Sequence, residues 1–260
     1  MILSCLLSPV KDILTLQPSF QSALIALDRV EDIFYLDEEL QTSKSVTLDE
    51  PIYSIEFVNV CFHYFGKENL FTEFSMKIEG NKKLGIIGRN GTGKSTLIKL
   101  LLGFEKIDSG TILINNQNIS NLNIFDIRNK VSYIVQNNFL FADTIYNNIT
   151  LREQNIPMEW IMECSKITGL LDFINKFPMG FETYVNENGD NLSVSQKQII
   201  ALTRALIRKP QLLILDEATS NIDYYKEQYV LDNILMLPIP CIIITHNREI
   251  LKKVDEVITL

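Results

Sequence analysis

The nonapeptide GRNGTGKST (88–96) constrains the fold of this chain more than any other stretch, because it joins two apolar segments of different type. The run KLGIIG before it is short and continuous, as expected of a strand buried on both faces. The run STLIKLLLG after it predicts a helix over 95–103 that ends at Gly103. The fixed positions of the GxxxxGK[ST] spacing are Gly88, Gly93, Lys94 and Ser95. A strand, a glycine-rich loop and a helix in this order predict an α/β domain that binds phosphate.

Each residue type in this loop suits a nucleotide phosphate. Glycines let backbone N–H groups converge on phosphate oxygens, and the helix start adds its positive end. Lys94 neutralises charge on the β- and γ-phosphates, and the Ser95 hydroxyl can ligate Mg²⁺. The simpler alternative is a glycine-rich turn with an ordinary surface lysine. The expected nucleotide-binding residues of the loop are Gly88, Asn90, Gly91, Gly93, Lys94, Ser95 and Thr96.

Three polar residues follow buried strands farther along the chain. LLILDE places Asp216 and Glu217 at the carboxyl end of a strand, where α/β folds bind ligands. We expect Asp216 to hold Mg²⁺ through water and Glu217 to polarise the attacking water. Two carboxylates that cap the next helix are the alternative. His246 ends the run CIIITH, so it is a third candidate, although a lone histidine is more often structural.

The remaining pattern predicts a mixed α/β fold with a mostly parallel sheet. VSYIVQ, LLILDE and CIIITH are continuous apolar runs, as in strands covered on both faces. IEFVNVCFHY alternates and predicts another strand, and TILINNQNI (111–119) predicts one more. Between Thr144 and Phe181 no strand-like run occurs, so we expect a small helical insertion.

The N-terminal region has a different organisation. Apolar residues recur at helical spacing from Ile13 to Leu36, and the polar stretch 41–51 predicts a linker. The sequence contains no complete membrane span. A net charge of -8 without any dense Lys/Arg run argues against a nucleic-acid partner.

These motifs, in this order, resemble the nucleotide-binding domain of ABC transporters over about residues 52–260. The resemblance implies a P-loop ABC ATPase fold with an antiparallel β subdomain and a helical subdomain at about 144–185. It implies that Tyr64 stacks on adenine, that Gln136 links Mg²⁺ and the attacking water to a transmembrane domain, and that His246 contacts the γ-phosphate. ENG (187–189) and SNID (220–223) match two further loops, and Asp223 of the second loop faces the opposite subunit in the family.

The signature LSGGQ of the family reads LSVSQ (192–196) here. In the family this segment binds the γ-phosphate of an ATP held by a second subunit, and Ser193 and Gln196 are kept. Val194 and Ser195 replace two glycines, and a side chain there can obstruct phosphate or strain the backbone if a positive φ is needed. Such strain costs about 1–2 kcal/mol per residue, or roughly tenfold in closed dimer. We therefore expect ATP binding with weakened closure and slow hydrolysis.

The segment LSPVKDILTLQPSFQSALIALDRVEDIF resembles the connector of peptidase-containing exporters of bacteriocin or double-glycine-leader peptides. We expect a helical connector at 1–45 and an ABC ATP-binding domain at 46–260 that is truncated at its C-terminus. The cofactors implied are ATP and Mg²⁺. The partners implied are a second ABC domain, in a homodimer or heterodimer, and a transmembrane exporter domain supplied in trans. The location implied is the cytoplasmic side of a bacterial plasma membrane, as a peripheral protein.

Two other functions are alternatives to an ATPase domain of a peptide exporter. A non-hydrolysing remnant or regulatory subunit is favoured by Val194, Ser195 and the expected truncation. It is opposed by the intact Lys94, Asp216, Glu217 and His246. A soluble ABC ATPase of DNA repair or translation is opposed by Tyr64 and by the exporter-like connector. Co-fractionation with membranes, as against binding to ribosomes or DNA, separates this last function from transport.

Overall fold

The computed structural model describes residues 18, 20–35 and 46–260. The chain divides into two units, Met1–Thr42 and Ser43–Leu260. In the first unit residues 20–34 form helix α1, and its apolar side chains, including Phe20 and Phe34, are exposed. The predictions for 1–17, 19 and 36–45, which include most of the linker, lie outside the described residues. Nowhere in the described part of the chain does a helix have the length and apolar character to cross a membrane.

The second unit alternates strands and helices. Its strands are β1 Ser54–His63, β2 Asn69–Glu79, β3 Lys83–Ile87, β4 Ser109–Ile114, β5 Gln117–Asn118, β6 Val131–Ile134, β7 Asp143–Thr144, β8 Tyr184–Val185, β9 Leu212–Asp216, β10 Cys241–Ile244 and β11 Glu256–Thr259. Its helices are α2 Lys94–Leu101, α3 Ile124–Lys130, α4 Ile145–Thr150, α5 Met158–Ile167, α6 Leu171–Ile174, α7 Val194–Ile207, α8 Tyr224–Leu235 and α9 Arg248–Leu251.

A five-stranded parallel sheet with the order β11-β3-β10-β9-β6 forms the centre of this unit. Successive residues of a strand point to opposite faces, and here both faces are covered. Leu213 and Leu215 of β9 belong to the core that contains α7, whereas Leu212 and Ile214 belong to the core that contains α2. The predicted parallel sheet, buried on both faces, is confirmed.

A separate sheet with the order β2-β1-β4-β5 is antiparallel and packs into the same core as α2. The single strand predicted over 111–119 is wrong, because β4 and β5 are two arms of a hairpin. Asn115 and Asn116 both have positive φ, 52° and 62°, and make the turn between the arms. Asparagine tolerates this conformation better than most residues and is common in such turns.

Three helices, α4 to α6, occupy the segment between β7 and β8, and the described chain has no strand within it. They pack with α7 around the largest apolar cluster of the unit, which includes Ile149, Ile161 and Leu202. Each fully buried side chain of this size contributes about 1.5–3 kcal/mol relative to an exposed one. The helical segment is therefore held against the parallel sheet by α7.

Candidate functional site

The glycine-rich loop runs from the end of β3 to the start of α2, as predicted. Gly93 precedes α2 with φ 100°, and a Cβ there would lie 2.7 Å from the Phe71 ring, so no other residue fits without strain. No side chain caps α2, which leaves its first N–H groups open to an anion. Lys94 is buried and donates to the carbonyl oxygens of Gly88 at 2.8 Å and Arg89 at 3.0 Å. The lysine thus lies folded along its own loop.

A cavity of about 720 Å³ opens beside this loop. The sequence-predicted residues that line it come from the loop, from the segments after β1 and β6, and from the end of β9. They are Tyr64, Asn90, Gly91, Gly93, Lys94, Ser95, Thr96, Gln136, Asp216 and Glu217. Its volume lies within the range of small-molecule sites, about 300–1,000 Å³. Gly88 lies at the base of the loop, where Lys94 contacts its carbonyl.

Asp216 and Ser95 are in direct contact at this cavity. The Ser95 hydroxyl donates to Asp216 Oδ2 at 2.7 Å, although the two residues are 121 positions apart in the chain. A hydroxyl and a carboxylate, with the Gln136 amide on the same cavity wall, are oxygen donors of the kind that Mg²⁺ prefers. These three side chains therefore fit a magnesium ion held together with substrate phosphates.

Tyr133 of β6 completes this cluster and was not predicted from the sequence. Its hydroxyl donates to the same Asp216 Oδ2 at 3.0 Å. Burial, the charge of Asp216 and the hydrogen bond to it raise the pKa of the Tyr133 hydroxyl above its ordinary value.

Glu217 and His246 lie together at the carboxyl ends of the neighbouring strands β9 and β10. His246 Nε2 is 3.2 Å from Glu217 Oε1. Glu217 has a positive φ of 51°, and its N–H donates to the Ile244 carbonyl at 3.0 Å. A non-glycine residue in this conformation is uncommon and is often found at functional sites. Glu217 lines the cavity. Its backbone is fixed there by the hydrogen bond to Ile244.

Tyr64, which follows β1, also lines this cavity. Its hydroxyl is 3.1 Å from the Thr96 hydroxyl, and its ring meets Phe62 edge to face with centroids 4.9 Å apart. Lys67 Nζ lies 5.8 Å from the ring centroid. The aromatic ring is thus tied to the helix that follows the phosphate loop.

Ser193, Gln196 and Asp223 lie away from this cavity and line a second cleft of about 550 Å³. Ser193 is the N-cap of α7, and its Oγ accepts from the Gln196 N–H at 3.2 Å. In return the Ser193 N–H donates to Gln196 Oε1 at 2.8 Å, which completes a capping box. Ser193 keeps its own hydroxyl proton, so it can still donate to an anion in the cleft.

The two residues that replace glycines begin α7. Val194 and Ser195 are its first residues, and neither is among the positive-φ residues of the described chain. Backbone strain at LSVSQ, one of the two effects considered for these positions, is therefore absent. Ser195 is half-buried and lines the cleft, whereas the Val194 side chain is 56% exposed. Obstruction by a side chain is the effect that stays a prediction.

Gln198 of α7 connects the segment after β6 with the segment after β9. This residue was also not predicted from the sequence. Its buried side chain donates to the Gln136 carbonyl at 3.4 Å and accepts from the Asn221 N–H at 3.2 Å. One amide therefore spans the segment after β6 and the segment after β9.

Comparison with known proteins agrees with this geometry. The family model described as ABC transporter matches residues 71–220. An export ATP-binding/permease protein of Rickettsia typhi is 45% identical over 211 residues, which cover 80% of this chain and 37% of that protein. The pediocin PA-1 transport/processing ATP-binding protein PedD of Pediococcus acidilactici is 31% identical over 264 residues, covering 100% of this chain and 36% of PedD.

Among solved structures, a bacterial Atm1-family ABC exporter with ATP bound superimposes with a TM-score of 0.84 at 28% identity. The match covers 92% of this chain and 42% of that exporter chain. The chain thus spans less than half the length of these relatives.

Proposed function

Because the chain belongs to the ABC transporter family, as an ATP-binding domain of the exporter type, we propose that it hydrolyses Mg²⁺-bound ATP to power export of a peptide. Domains of this type are ATPases coupled to transport. The observation that carries the proposal is the convergence on one cavity of Lys94, the Ser95–Asp216 contact and Glu217. These groups supply the positive charge, the metal ligands and the base that phosphoryl transfer to water requires.

The substrate-binding roles follow from position. Lys94 leaves the carbonyls of its own loop for the β- and γ-phosphates, which are stronger acceptors. Asn90, Gly91, Gly93 and Thr96 surround the phosphates, and the Tyr64 ring stacks on adenine. Ser95, Gln136 and Asp216 would hold Mg²⁺, which would supply positive charge against the charge that develops on the phosphate oxygens.

Hydrolysis itself is assigned to Glu217 and His246. Glu217 accepts a hydrogen bond from the attacking water, whose oxygen bonds to the γ-phosphorus as the bond to the bridging oxygen breaks. ADP and inorganic phosphate are the products. His246 Nε2 lies 3.2 Å from Glu217 Oε1. When ATP binds, this N–H leaves the carboxylate and donates to the γ-phosphate, so that Glu217 is free to accept from the water.

The second cleft is assigned to a partner domain. Ser193, Gln196 and Asp223 line this cleft, which has no lining residue in common with the first cavity. We therefore assign a head-to-tail dimer, with an identical or a related domain, in which each ATP lies between the cavity of one subunit and the cleft of the other.

The wider assembly rests on the relatives. The R. typhi protein is described as ATP-binding and permease in one chain, and PedD as a transport and processing protein for pediocin PA-1. By similarity, residues 1–45 are a connector and 46–260 the ABC domain, with its helical subdomain at about 144–185. The domain works on the cytoplasmic side of a bacterial membrane with a transmembrane exporter domain, and a bacteriocin-like peptide is the cargo.

Dimer formation and transport test these assignments separately. Glu217→Gln with Mg²⁺ and ATP should elute as a dimer in size-exclusion chromatography, and Ser193→Ala in that background should reduce the dimer fraction. A monomer under all conditions contradicts the head-to-tail assembly. Inverted vesicles that contain the chain and its membrane domain should take up a double-glycine-leader peptide with ATP. Uptake of dyes without uptake of peptide contradicts the cargo assignment.

A further inference from the structure

Tyr133 is placed differently from the other groups that meet at Asp216. It lies on strand β6, where its backbone pairs with Ile214 of β9, whereas Ser95 lies on α2 directly after the glycine-rich loop. The Tyr133 ring packs against the core cluster beneath the sheet while its hydroxyl reaches the cavity. The phenol is therefore fixed by the sheet and does not depend on the loop that receives phosphate.

Both hydroxyls donate to one carboxylate oxygen. Asp216 Oδ2 accepts from Ser95 at 2.7 Å and from Tyr133 at 3.0 Å. Ser95 is the donor whose surroundings would change if a divalent cation were bound, because the Ser95 oxygen would itself be a ligand of that cation. Tyr133 can keep its hydrogen bond to Asp216 whether or not a cation is bound, so it can fix the orientation of the carboxylate in both cases.

We propose that Tyr133 is a positioning residue for the metal site, which holds the Asp216 carboxylate in the orientation that shares a divalent cation with Ser95. This inference rests on the proposed function, since it concerns the same cation. Residues that hydrogen-bond a metal-binding carboxylate fix its geometry, and their loss usually lowers metal affinity by about 10–100-fold. A tyrosine that served only to pack β6 against the core would tolerate phenylalanine without an effect on the metal.

The chain offers a matched pair of substitutions. Tyr133→Phe removes the hydroxyl and keeps the ring. Tyr229→Phe is the control, because the Tyr229 hydroxyl also donates a single hydrogen bond, of 3.1 Å, but to the Lys166 carbonyl outside both cavities. Any loss of binding that is caused only by removal of a tyrosine hydroxyl is then expected in both variants.

The test measures Mn²⁺ binding by loss of the free Mn²⁺ signal in electron paramagnetic resonance, with protein in excess over the β,γ-imido analogue of ATP. A titration without protein is subtracted, because the analogue alone also binds Mn²⁺. The affinity for the analogue in EDTA is measured in parallel. We expect Tyr133→Phe to bind Mn²⁺ about tenfold more weakly than the unaltered chain and to keep its metal-free affinity for the analogue. Tyr229→Phe should match the unaltered chain in both.

The other outcomes overturn the inference in distinguishable ways. Equal Mn²⁺ affinity in the two variants means that the Tyr133 hydroxyl does not position the metal ligand. A loss of metal-free analogue binding in Tyr133→Phe as large as the loss of Mn²⁺ binding means that the hydroxyl supports the fold in general. Failure of the unaltered chain to bind the analogue at all removes the proposed function, and the inference with it.

Discussion

Replacement of Val194 and Ser195 by glycine should destabilise the protein, although it restores the family signature. Both residues lie in the first turn of α7 with ordinary helical backbone, after the N-cap Ser193 at φ -67° and ψ 157°. Glycine is about 1 kcal/mol less favourable than alanine in a helix, and valine and serine lie roughly halfway between. The pair should therefore cost about 1 kcal/mol in free energy of unfolding. For a domain of this size that lowers Tm by roughly 2–4 °C.

The alanine pair is the matched variant for this measurement. Val194→Ala with Ser195→Ala also removes both side chains, but alanine favours the helix, so Tm should rise by a similar amount. Differential scanning calorimetry of the three proteins gives the order alanine pair, unaltered chain, glycine pair. A rise of Tm in the glycine pair would refute the reasoning, because relief of positive-φ strain stabilises by about 1–2 kcal/mol per residue.

The same variants separate stability from dimer closure. If the side chains obstruct the nucleotide of the partner subunit, both pairs should raise ATP turnover, because both remove the obstruction. Turnover that rises only in the glycine pair would show that closure needs a backbone conformation different from the helix seen here. In either case the change in Tm reports on the helix alone.

Three further substitutions test separate parts of the structure. Lys94→Ala removes the ammonium group expected at the phosphates, so the ATP affinity measured by calorimetry should fall about 10–100-fold; an unchanged affinity would contradict that role. Gln198→Leu removes the partner of the Gln136 carbonyl and of the Asn221 N–H, two part-buried hydrogen bonds. The free energy of unfolding in urea should fall by about 0.5–1.5 kcal/mol for each bond; unaltered stability would show that the bridge is not formed. Hydrogen bonds from Asn147 and then Arg152 lower the pKa of Asp143 to about 2. Since this folded pKa is below the unfolded value of about 3.9, the contribution of Asp143 is present above about pH 4 and lost as pH falls towards about 2. Asp143→Asn should make Tm less dependent on pH in that window, and equal slopes would contradict the assignment.

The sequence alone predicts the strands whose hydrophobic pattern is determined by burial. Four strands of the parallel sheet, β3, β6, β9 and β10, are largely buried, so each could be predicted from its apolar run. The edge strand β11 is mostly exposed. The hairpin of β4 and β5 was missed because its turn residues, Asn115 and Asn116, interrupt the apolar run without a glycine or proline. Asparagine pairs are a weaker turn signal than Asn-Gly.

The site was predictable where a motif carries it and not where packing does. The glycine-rich loop was predicted from its residue spacing, and Asp216 from its position at the end of an apolar strand. Tyr133 and Gln198 were not, because a lone tyrosine in a strand and a glutamine in a helix are ordinary until the fold places them. The capping box could have been found, since Ser193 and Gln196 have the S-x-x-Q spacing that marks a helix start, and it would have shown that Val194 lies in a helix.

Steady-state ATP hydrolysis by the unaltered chain and by Glu217→Gln, at high protein concentration with Mg²⁺, tests the central claim most directly. The geometry predicts turnover that requires Mg²⁺ in the unaltered chain and falls by about 10²–10⁴-fold in the variant, because the general base is lost while the cavity keeps its shape. Binding of ATP should remain in both. If the unaltered chain hydrolyses ATP no faster than Glu217→Gln at any protein concentration, the assignment of this cavity as an ATPase site is contradicted.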